Sequence, residues 1–221
     1  DDGDVTAMTI ALDATDSITG SGDLSGDASV SVEALGGDIQ LSGDVTSSSG
    51  DVLIVGKQTQ MDGNVSGTTV ALTGSEGLVV NGDITANEAW LRAQSGLVTS
   101  NGQTHIDGAV NWIADQVEIN GLVDAQGAAD IQGTSGVALN ATVTAGSVSV
   151  SADQGAVSVV AGVTGASGID ITGEDITLDG SAVLDGGPVT LAADSMLISN
   201  GLIDSSGDVS LTSNDVLTVA G

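Results

Sequence analysis

The sequence predicts an all-β fold, a right-handed, three-sided parallel β-helix of about 20 residues per coil and about 11 coils. Three observations carry that expectation. An apolar anchor returns at Leu24, Val45, Val65, Ile84, Ile106, Val123, Val143, Val163, Val183 and Ile203, at intervals of 21, 20, 19, 22, 17, 20, 20, 20 and 20 residues. Apolar pairs separated by one residue keep the same spacing, which is the two-residue alternation of a strand with one buried side. Gly, Asp, Asn and Ser stand between the apolar runs and supply the side-chain-capped or positive-φ turns that a sharp corner needs.

The strands follow in order. One series of pairs is Ile10/Leu12, Val30/Val32, Val52/Ile54, Val70/Leu72, Val148/Val150, Ile169/Ile171, Val189/Leu191 and Val209/Leu211. A less regular series is Ile39/Leu41, Leu78/Val80, Val117/Ile119, Val137/Leu139, Val157/Val159, Ile176/Leu178, Met196/Ile198 and Leu217/Val219. With the anchors these give three short strands per period, and eight Gly-Asp pairs mark the corners. Parallel coils at about 4.8 Å then make a rod of roughly 50 Å. Parallel crossovers favour the right hand, and the six-residue internal repeats of the left-handed hexapeptide type are absent.

Composition fits a narrow core. There is no Phe or Tyr, Trp occurs only at 90 and 112, and the single proline, Pro188, precedes a strand, where a missing donor costs least. The period crosses residues 1–221 without a linker, so the chain reads as one domain, a segment of a longer array or filament with no obvious caps. No signal peptide opens it at Asp1, and no stretch has the length of a membrane-spanning helix. The absence of cysteine excludes disulfides and thiol chemistry.

Thirty acids, 25 of them Asp, against Lys57 and Arg92 give a formal net charge of −28. Nucleic acid and anionic membranes are repelled by such a chain. The acids serve the corners and keep an edge-bearing β protein soluble, or reflect a saline habitat. They could also hold Ca²⁺, but the glycine-aspartate nonapeptide of calcium-loaded β-rolls is missing, so such binding would be weak and irregular. No other cofactor and no metal site is expected.

The phrases Gly187-Pro-Val-Thr-Leu-Ala-Ala-Asp-Ser-Met-Leu-Ile-Ser-Asn-Gly-Leu-Ile-Asp-Ser-Ser-Gly207 and Gly207-Asp-Val-Ser-Leu-Thr-Ser-Asn-Asp-Val-Leu-Thr-Val219 resemble the repeats of filamentous-haemagglutinin-like proteins and other giant bacterial surface adhesins. That resemblance implies a long secreted shaft at the bacterial surface or in the extracellular matrix. Its partners would be neighbouring copies or continuing repeats end to end, with surface glycans or a host receptor as further candidates.

Pectin-cleaving enzymes also use right-handed β-helices, so fold alone does not decide about catalysis. The residue supply argues against it. Lys57 and Arg92 are 35 positions apart, the single His lies in Thr104-His105-Ile106-Asp107-Gly108, and the only adjacent acids are Asp1 and Asp2. No Walker loop, zinc-ligand cluster or Ser-His-Asp set is visible. The expectation is a non-enzymatic structural protein. Its runner-up is a carbohydrate- or receptor-binding module, and a polysaccharide-degrading enzyme is the remote third.

Composition changes once, over residues 88–116, which hold Trp90, Arg92, His105 and Trp112. These supply the candidate ligand-binding residues Trp90, Arg92 and His105. In strict register Trp90 and Arg92 would point inward, which an unpaired guanidinium does not tolerate. The spacing therefore predicts a one-residue shift, with Ala89, Leu91 and Ala93 inward and Trp90 and Arg92 outward. An outward Trp beside Arg could stack on a sugar or on a neighbouring molecule; the alternative is a coil defect, with Trp112 simply filling the core. At the ends, Val5, Met8 and Ile10, and Val216, Leu217 and Val219, are the candidates for end-to-end assembly.

Overall fold

The computed structural model describes residues 3–220; Asp1, Asp2 and Gly221, and with them the adjacent acid pair, lie outside the described residues. Those residues form 22 strands and no helix, and the strands pair in parallel throughout. The rule behind this is local: alternating small branched side chains favour extended backbone, and a buried inner surface fixes which residues face in.

The pairings make three faces of eleven rungs each. On the first face the inward column is Val5, Leu24, Val45, Val65, Ile84, Thr104, Val123, Val143, Val163, Leu184 and Ile203. Each of these residues opens one coil, numbered here 1 to 11. The second face carries pairs such as Val30/Val32 and Val70/Leu72, and the third carries pairs such as Leu78/Val80. The result is a β-solenoid of about 11 coils and about 20 residues per coil.

Three sequence expectations are corrected. Thr104, not Ile106, continues the first column, and Ile106 stacks between Ala86 and Ala125. Leu184, not Val183, does so in coil 10, while Val183 pairs outside it with Gly162 and Leu202. On the third face Leu197 and Ser199 point inward in place of Met196 and Ile198. The slips have two causes. Thr104 and Ile106 both point inward, and the polar Thr at the first inward position moves the apolar anchor to the second. At Val183 and at Met196 and Ile198 apolar residues stand on both faces, so the backbone ladder with the neighbouring rungs decides.

The core runs without a break from Ile10 to Leu197. Each fully buried Val, Leu or Ile contributes about 1.5–3 kcal/mol relative to exposure. Trp112 is the largest buried side chain and stacks between Leu91 and Ile131. Ala86, Ala89, Ala93, Ala125 and Ala129, all inward in the adjoining coils, leave room for it.

The corner between the third and first faces is built by side chains that repeat with the coil. Gly22, Gly43, Gly63, Gly82, Gly102 and Gly121 stack so closely that a Cβ at any of them would fall on the carbonyl of the glycine one coil earlier. On one side of this column the Oδ1 atoms of Asp4, Asp23, Asp44, Asn64 and Asp83 accept the backbone N–H of Asp23, Asp44, Asn64, Asp83 and Gln103 at 2.7–3.0 Å. On the other side the amides form a second ladder. Asn140 donates to Asn120, Asn120 to Asn101, Asn101 to Asn81 and Asn81 to Asp62, at 2.6–2.9 Å.

Candidate functional site

Coils 5 and 6 depart from the repeat both inside and outside. Inside, Ser100 and Thr104 take positions that hold Val, Leu or Ile in most coils, and Trp112 enters from the second face. Ser100 Oγ, Thr104 Oγ1 and Trp112 Nε1 are buried without a hydrogen-bond partner among the described residues. Buried polar atoms cost free energy when unpaired, so this coil departs from the apolar rule of its neighbours.

Outside, strand Ile84–Ala93 bends from the first face to the second. Ala89, Leu91 and Ala93 point inward, Trp90 is half-buried on the outer surface, and Arg92 is exposed, as the guanidinium argument requires. Trp90 lies between Ala71 and Asn111 of the adjacent coils, and Arg92 between Thr73 and Ile113. The Arg92 guanidinium sits over the Trp90 ring, 5.1 Å from its centroid. Such a stack is worth about 0.5–1 kcal/mol at an exposed site.

The two outward columns of the second face change character along the rod. In coils 3 to 6 they hold Leu53, Ala71, Trp90 and Asn111 beside Val55, Thr73, Arg92 and Ile113. In coils 7 to 9 they hold Asp130, Ser149 and Asp170 beside Gln132, Ser151 and Thr172. Beside Arg92 a recess of about 400 Å³ is lined by Thr73, Arg92, Ala93, Gln94, Ile113, Ala114 and Thr134, with no acidic residue among them.

His105 is not part of this surface. It projects from the first face between Thr85 and Asp124, with Nδ1 3.2 Å from Asp124 Oδ2 and Nε2 4.0 Å from Asp107 Oδ1. The sequence groups His105 with Trp90 and Arg92, but the coil separates them onto two faces. Lys57 is paired with Glu76 at 3.2 Å, whereas Arg92 has no carboxylate within ion-pair distance among the described residues.

The residues considered for end-to-end assembly differ among themselves. Met8 is 73% exposed and Val5 half-buried, while Ile10 is already covered by its own coil and the next. Val216, Leu217 and Val219 are about half exposed, at 47%, 50% and 56%. Among the described residues no three His, Cys, Asp or Glu side chains converge as metal ligands do. Many corner acids are instead engaged with the backbone of the next coil.

Sequence reasoning missed the recess. Its lining residues Thr73, Arg92, Ile113 and Thr134 stand one coil apart from one another, so a reading down the columns, not along the chain, would have found it. No family model, curated protein or solved structure matches the chain.

Proposed function

We propose that this chain is a non-enzymatic structural rod, the shaft of a large adhesin or a subunit of a head-to-tail filament at the bacterial surface or in a secreted matrix. One observation carries the reading: all three faces keep their column for eleven rungs, so nearly every residue serves axial extension. About ten steps of 4.8 Å give a rod of roughly 48 Å. The two side-chain ladders add stiffness at one corner, and the acidic surface keeps neighbouring rods apart. The half-exposed Leu217 and Val219 support end-to-end contact with further rungs, whether of the same polypeptide or of another copy.

The test is immunogold electron microscopy of intact producing cells with antibody against this chain. The expected outcome is label on projecting fibres outside the cell, lost together with the fibres when the gene is deleted. Label confined to permeabilised cells would overturn the proposal.

A further inference from the structure

Beyond the shaft role, and independent of it, we propose that the recess beside Arg92 binds a carboxylate-bearing sugar, a uronic acid unit of a glycan, through the guanidinium that the Trp90 ring holds in place. Charge is the first argument. The chain carries 30 acids, yet the recess is lined by one guanidinium and no carboxylate. Arg92 is held by the face of Trp90 and makes no ion pair among the described residues, which leaves its N–H edges to a bidentate carboxylate. The net charge of −28 opposes long polyanions at a distance. Within a recess, at physiological ionic strength, screening over about 8 Å leaves the nearest charge dominant. The site therefore suits a short or sparsely charged glycan over a dense polyanion.

Shape is the second argument. About 400 Å³ lies near the lower end for ligand sites and matches one or two pyranose rings. Thr73, Gln94 and Thr134 offer hydroxyl and amide partners for sugar hydroxyls, while Ile113 offers apolar surface. A peptide is disfavoured because this strand is hydrogen-bonded on both sides, to Val65–Val80 and to Val110–Ile119. No free edge is left for strand addition.

The experiment is calorimetric titration of the protein with trigalacturonic acid and, separately, with its methyl ester, which removes the charge and keeps the sugar. The acid is expected to bind at least roughly tenfold more tightly, because hydrogen bonds between two charged groups are stronger than those to a neutral ester. Arg92→Gln should abolish that preference with an unchanged circular dichroism spectrum, and Trp90→Ala, which releases the guanidinium, should weaken the acid more than the ester. Equal binding of acid and ester, no binding of either, or a preference surviving in R92Q would each overturn the proposal. So would a glutamate-rich peptide that binds more tightly than the sugar.

Discussion

The corner between the third and first faces is built in two ways along the same rod. In coils 1 to 6 the residue before the inward column is Asp4, Asp23, Asp44, Asn64, Asp83 or Gln103, and the first five each accept the next coil's backbone N–H. In coils 7 to 11 the same place holds Leu122, Thr142, Gly162, Val183 and Leu202, none with a side chain that does this. The backbone ladder is nonetheless the same: Leu24 N–H donates to Asp44 O at 2.8 Å, and Val123 N–H to Thr142 O at 2.9 Å. Main-chain pairing and an apolar core are therefore sufficient for the fold. The carboxylate ladder is an addition, and it gives part of the acidity a structural role confined to one half.

The comparison can be broken most strongly through the core, which both halves share. Leu72→Ala and Ile171→Ala should each cost about 2–5 kcal/mol in denaturant unfolding, because both remove fully buried side chains. A cost outside that range in one of them alone would mean that the halves differ in more than their corners. Gly82→Ala comes next. Its Cβ would meet the Gly63 carbonyl, so the change should cost about 1–3 kcal/mol. The same column already holds Ala141 and Ala161 in coils 8 and 9, and Ala161→Gly should move the melting midpoint little.

Smaller effects belong to the ladders. Asn101→Ala removes a donor to Asn81 and an acceptor for Asn120, and about 1–2 kcal/mol is expected from two exposed hydrogen bonds. Hydrogen exchange should show that loss concentrated in coils 4 to 7, leaving coils 9 to 11 unchanged. Asp44→Ala should cost about 1 kcal/mol and Asp44→Asn almost nothing, since the amide oxygen can accept the Asn64 N–H as well. The smallest change expected is from chelator: removing Ca²⁺ should leave the thermal midpoint in place if these acids act as hydrogen-bond acceptors. A drop of several degrees would reassign them to metal.

Much of this was legible in the sequence. The period, the three strands per coil and the outward turn of Trp90 and Arg92 follow from apolar spacing and from the cost of burying a guanidinium. What escaped was of two kinds. Where Ala182-Val183-Leu184 and Met196 to Ser199 present apolar groups to both faces, and where the inward Thr104 hides the first of two inward positions before Ile106, only pairing with the next coil sets the register. The recess escaped because its residues come from four coils, and only the stacking of those coils brings them together.

The chain travels about 20 residues for each coil but rises only about 4.8 Å, so its backbone hydrogen bonds lie along the axis of the rod. Tension applied at the two ends therefore loads these bonds directly and peels coils one at a time from the tips. Each coil that leaves pays out roughly 66–72 Å of contour. Such a solenoid yields in even steps under load, as a spool does, and shortens by one rung without opening the middle of the stack.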